Sequence, residues 1–74
     1  MSVRVEAPRT PDRDELVAAL KNDGFDARPV NDLGIEVKGD GDLLADLETW
    51  IAETGVPLVP DPSGDTIYLR PPAS

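Results

Sequence analysis

Gly24-Phe25-Asp26-Ala27-Arg28-Pro29-Val30-Asn31-Asp32-Leu33-Gly34-Ile35-Glu36-Val37-Lys38 is the segment from which the architecture can be built outward. Gly24 followed by Phe25 marks a helix end: glycine takes the left-handed conformation at C′, and the aromatic ring reaches back to Leu20. Phe25 to Val30 then reads as a strand, and Pro29, which has no N–H to donate, confines it to a sheet edge. Asn31-Asp32-Leu33-Gly34 has the composition of a type I turn closed by a left-handed glycine, the recipe for a hairpin with a G1 bulge. Ile35-Glu36-Val37-Lys38 alternates apolar and polar and is the returning strand.

Upstream, Ser2-Val3-Arg4-Val5-Glu6 alternates in the same way and predicts a half-buried strand. Thr10-Pro11 predicts an N-cap followed by proline at the first helical position, with Asp12, Asp14 and Glu15 favoured in the first turn by the helix dipole. Leu16, Val17 and Leu20 form the buried stripe of this first helix. Downstream, Gly39-Asp40-Gly41-Asp42 breaks the returning strand and offers Asp40 or Asp42 as the next N-cap. A second helix follows with Leu43, Leu44, Leu47, Trp50 and Ile51 inward, and it stops at Thr54-Gly55-Val56. Val56 to Pro60 predicts a short edge segment, Asp61-Pro62-Ser63-Gly64 a turn with Gly64 left-handed, and Thr66 to Arg70 the last strand. Pro71 to Ser74 reads as a frayed tail.

The two halves align. Gly24 matches Gly55, Leu20 matches Ile51, Gly34 matches Gly64 and Val3 matches Ile35, which points to an internal repeat. Two such halves give one α+β domain over residues 1–74 with the order β-α-β-β-α-β, the ferredoxin-like split βαβ arrangement. A short extra C-terminal hairpin strand accompanies it, either extending the edge or replacing the fourth strand. Both helices are expected on one face of an antiparallel-rich sheet.

The chain has 74 residues, no cysteine, no histidine and a formal charge of −8. Absence of cysteine removes disulfides, thiolate metal sites and thiol nucleophiles. Absence of histidine removes the usual general base and the commonest transition-metal ligand. A core this small leaves little room for a closed internal pocket. The acidity opposes binding to nucleic acid or anionic membranes and suits solubility or a basic partner. No stretch approaches a membrane span in length, and Arg4 and Glu6 interrupt any leader-like start, so cytoplasmic residence is the default expectation.

The remaining motifs resolve into local structure. Asp40-Gly41-Asp42 and Asp61-Pro62-Ser63-Gly64-Asp65 resemble fragments of calcium loops. Yet a loop begun at Asp40 would put Leu44 at a ligand position and Ile51 where the bidentate glutamate belongs. Asp12, Asp14 and Glu15 form a carboxylate cluster that a helix start explains. Gly39-Asp40-Gly41 lacks the rest of a phosphate-binding motif, and its aspartates would repel phosphate. Ser2, Ser63 and Ser74 have no histidine base, and Lys21 and Lys38 have no apolar surround to depress their pKa. No metal, cofactor or conventional enzymatic activity is therefore expected. Trp50, the lone tryptophan, reads as a boundary residue of the second helix, or more sharply as an exposed anchor for a partner.

The outward side of the sheet carries the most information. If Val3, Val5, Ile35, Val37, Ile67 and Leu69 face the helices, alternation puts Arg4, Glu6, Glu36, Lys38, Tyr68 and Arg70 on the other side, joined by Arg28. Cross-strand ion pairing is sufficient to explain them. The functional expectation is a non-catalytic protein-interaction or regulatory module using this face, with a protein partner or a second copy of the chain. The alternatives are a dimeric small-metabolite sensor, and an acidic mimic of nucleic acid presenting Asp12, Asp14, Asp42, Asp46 and Glu53 to a basic protein.

Overall fold

The computed structural model describes residues 1–71. In chain order the elements are β1 (Ser2–Glu6), α1 (Thr10–Asn22), β2 (Asp26–Pro29), β3 (Gly34–Lys38), α2 (Leu43–Thr54), β4 (Val59–Ser63) and β5 (Thr66–Arg70). The strands form one open sheet in the order β2-β3-β1-β5-β4. Three pairings are antiparallel (β2 with β3, β3 with β1, β5 with β4), and β1 with β5 is parallel. The chain is thus α+β, two helices on a mixed five-stranded sheet. The frayed tail expected at its end falls largely on residues 72–74, outside the described residues.

The helices share one core with the inward residues of the strands. Val3, Val5, Ala27, Ile35, Val37, Ile67 and Leu69 meet Leu16, Val17 and Leu20 of α1 and Leu43, Leu47, Trp50 and Ile51 of α2. Ile35, Val37 and Ile67 are fully inaccessible, which places the centre of the core under β3, β1 and β5. Phe25 and Leu44 are only half-buried at its margin.

The place beside β1 differs from the four-stranded ferredoxin-like pattern. There, the strand after the second helix would lie antiparallel to the first. Here β5 occupies that place and runs parallel, while β4 lies at the outer edge. The reason is chemical. Val59-Pro60-Asp61-Pro62-Ser63 has two residues without an N–H and cannot serve two neighbours at once, whereas Thr66-Ile67-Tyr68-Leu69-Arg70 alternates cleanly. Prolines two apart place both missing donors on the same side, the free side of β4, so the ladder to β5 loses nothing.

Helix ends follow local chemistry where no long-range bond competes. The N–H of Phe25 donates to the Leu20 carbonyl (2.9 Å) and that of Gly24 to Lys21 (3.1 Å), a Schellman motif with Gly24 at φ 93°. Asp42 caps α2 by accepting from the Ala45 N–H, and Gly55 closes it in the left-handed conformation. Thr10, in contrast, is not a cap. The N-cap position is Arg9, without a side-chain bond, and the Thr10 hydroxyl donates instead to the Asp32 carbonyl.

Two turns also depart from expectation. Gly34 is not left-handed. The Asn31 side-chain oxygen accepts from the N–H groups of Leu33 (3.0 Å) and Gly34 (2.6 Å), which closes the loop without a bulge. The last hairpin turns two residues later than its composition suggests: Ser63 pairs with Thr66, and Gly64-Asp65 is a two-residue loop. Gly64 has φ 60° and Asp65 has no positive φ, the pattern of a type II′ turn. The aligned glycines therefore agree at the helix ends and differ at the turns.

Candidate functional site

Strand register assembles the outer side of the sheet row by row. One row runs Arg28, Glu36, Arg4, Thr66, Ser63; the next runs Gly34, Glu6, Tyr68, Asp61. Asp26 and Lys38 face each other at one end, and Val59 and Arg70 at the other. All seven residues expected on this side (Arg4, Glu6, Arg28, Glu36, Lys38, Tyr68 and Arg70) lie together on it. Glu6 and Glu36 are half-buried and the others are exposed.

Ion pairs order most of these charges. Arg28 donates to Glu36 Oε1 through Nε (3.1 Å) and Nη2 (2.7 Å), and Lys38 Nζ lies 4.0 Å from the same oxygen. Arg70 pairs with Asp61 across β4 and β5 at 2.9 Å. The hydrogen bond from Arg28, helped by the charges of Arg28, Lys38 and Arg4, holds the Glu36 carboxyl below its ordinary pKa against some opposing desolvation. Arg4 is different: among the described residues it enters no ion pair. It lies in a polar depression of about 230 Å³ with Ser2, Glu36, Asp65 and Thr66.

Charge is divided sharply between the two sides of the molecule. The open face holds four cations (Arg4, Arg28, Lys38, Arg70) and four carboxylates (Glu6, Asp26, Glu36, Asp61) and is neutral. The other three cations and eleven carboxylates lie on the helices, loops and turns, so nearly all of the net charge of −8 sits off this face, Asp65 of the last turn bordering it. Tyr68 and Val59, 40% and 49% exposed, supply apolar surface beside Arg70. Both edges are guarded, β2 by Pro29 and β4 by Pro60 and Pro62, which disfavours addition of a further strand.

On the helical side, the sharper reading of Trp50 does not hold. Trp50 is 8% exposed, its indole N–H donates to Asp23 Oδ2 (2.5 Å), and its ring meets Phe25 edge-on at 6.2 Å. Burial beside a ring and a carboxylate satisfies both its apolar body and its polar tip. The carboxylates of the first turn are engaged locally: Asp12 pairs with Arg9 and Asp14 with Arg13. Among the described residues no three acidic groups converge as metal ligands would.

Sequence reasoning missed two features. Arg13 Nη1 donates to the Asn31 carbonyl at 2.6 Å, tying α1 to the loop between β2 and β3; only proximity in the fold reveals this. A groove of about 250 Å³ also runs between α1 and the end of α2, floored by Leu16 and Trp50. Its signal in the chain was the apolar run Val56-Pro57-Leu58, which forms the wall. The chain matches no protein-family model, no curated protein and no solved structure. No helix among the described residues is long and apolar enough to cross a membrane.

Proposed function

We propose that the chain is a non-catalytic docking module whose open sheet face receives a protein partner, with Arg4 taking an acidic side chain of that partner. The carrying observation is Arg4 itself. It is the one cation of the face without an ion-pair partner among the described residues, set in a polar depression on a face whose own strand charges balance. A guanidinium held this way offers bidentate bonds to an incoming carboxylate. Tyr68 and Val59 add the apolar contact that a purely ionic surface lacks. The guarded edges favour docking on the face over strand addition.

The topology is read in the same spirit, as a ferredoxin-like split βαβ in its first half, with β5 inserted between β1 and the strand that follows α2. The test of the functional reading is charge reversal. Arg4→Glu and Arg70→Glu leave the core untouched, and at least one association detected by light scattering or pull-down with the wild-type chain should weaken by at least tenfold. If every association survives both changes intact, the face is removed from consideration.

A further inference from the structure

The groove on the helical side stands apart from the sheet face, and its chemistry is the opposite: apolar inside, acidic outside. Leu16 and Trp50 form its floor, Val56, Pro57 and Leu58 its wall, and Asp12 and Glu15 stand at its rim. A second depression of about 410 Å³ continues it past Pro57 and Leu58 toward Pro8, Arg9 and Pro71. The wall is preformed. Gly55 is left-handed, and the Leu58 N–H donates to the Val56 carbonyl (2.8 Å), a γ-turn centred on Pro57, whose fixed φ suits it. Preformed apolar surface binds without an ordering cost.

We propose that this groove docks a basic segment of a partner protein that inserts one or two apolar side chains over Trp50. Size and charge both choose the occupant. A cavity of roughly 150 Å³ already admits benzene, so about 250 Å³ takes one large side chain or two small ones. The rim carries two carboxylates, and Glu15 forms no ion pair among the described residues. The two helices that form it carry six carboxylates against two cations. A second copy would bring the same acidic rim and the same excess charge, so self-occupation is repelled. An acidic or neutral segment gains the apolar contact alone, whereas Lys or Arg flanking the inserted side chain meets Glu15, Asp12 being already held by Arg9.

Three capped hexapeptides test the proposal: Lys-Lys-Leu-Phe-Lys-Lys, Glu-Glu-Leu-Phe-Glu-Glu and hexalysine. Trp50 is the only tryptophan, so its emission reports the groove directly, and amide shifts map the site. The basic apolar peptide should bind with Kd below about 1 mM, shift Trp50 emission, and move amides at 12–19 and 54–58. Glu15→Lys, on an exposed helix surface, should weaken it about tenfold, and Arg4→Glu should leave it unchanged, which separates this site from the sheet face. The proposal is overturned if hexalysine or the acidic peptide binds as well, if the shifts fall on β1 and β5, or if no shifts appear.

Discussion

Asp23→Ala should expose how α1 is held to α2. Asp23 is the C-cap of α1, with φ −92° and ψ 9°, a conformation alanine adopts freely, so the backbone is not perturbed. What the change removes is the acceptor for the Trp50 indole N–H, a contact of 2.5 Å on a residue only 8% exposed. A hydrogen bond to a charged acceptor contributes roughly 1.5–3 kcal/mol, the cost of the stranded donor included, and with Asp23 exposed the low end, about 2 kcal/mol, applies. A carboxylate at a helix C-terminus is itself unfavourable by about 0.3–1 kcal/mol, which the substitution relieves. The net loss is therefore about 1–1.5 kcal/mol. With a urea slope of roughly 1 kcal/mol/M for a small domain, the midpoint followed by Trp50 fluorescence should fall by about 1 M at unchanged slope. Asp23→Asn keeps an oxygen acceptor and should stay within about 0.5 kcal/mol of wild type. In a Trp50→Phe background, followed by far-ultraviolet dichroism, Asp23→Ala should cost almost nothing. If most of the loss persists there, the indole bond is not its origin.

Gly34→Ala should destabilise by about 1–2 kcal/mol without backbone strain. Gly34 has no positive φ, but a Cβ there would meet Asn31 Oδ1 at 2.8 Å. Because Asn31→Ala empties the same space, the double variant should be less damaged than the sum of the singles by at least about 0.5 kcal/mol, and strict additivity would refute the mechanism. Glu36 should titrate below its ordinary 4.5 in a carbon-detected NMR titration. A depressed folded pKa means its contribution is present above the unfolded value and fades as pH falls through the folded one. Glu36→Gln should therefore flatten the stability curve below about pH 4.5, and Glu36 titrating at or above 4.5 would contradict the pairing with Arg28.

What the chain disclosed and what it hid divide along sequence separation. Gly24-Phe25 and Asp42 specify their helix ends through bonds no more than five residues long, so local composition sufficed. Alternation in Val3-Arg4-Val5, Ile35-Glu36-Val37 and Ile67-Tyr68-Leu69 was enough to sort the open face, because a pleat leaves no third side. Thr10 misled because its hydroxyl found a carbonyl 22 residues away. The last hairpin misled because Asp61-Pro62-Ser63-Gly64 has turn composition. The spacing of Pro60 and Pro62, however, already marked an edge strand whose missing donors face outward. The groove was hidden because its floor and wall come from three elements distant in the chain.

The division of charge follows from the geometry of the two layers. On a sheet, opposing side chains lie about 5 Å apart at fixed positions, so like charges cannot spread and a stable open face settles toward alternation. Helix surfaces and loops let side chains splay into water, and there the acidic excess accumulates at little cost. The molecule measures 35 × 23 × 21 Å, against a screening length of about 8 Å at physiological salt. A partner on the sheet face is thus shielded from the −8 across the body, while one at the groove stands within it. The two surfaces should part company as salt is varied. Binding at the groove weakens steeply as salt is raised, and binding at the sheet face weakens less, through screening of the Arg4 pair, until ionic strength is low enough, near 0.01 M, for a screening length of about 30 Å to let the whole charge be felt.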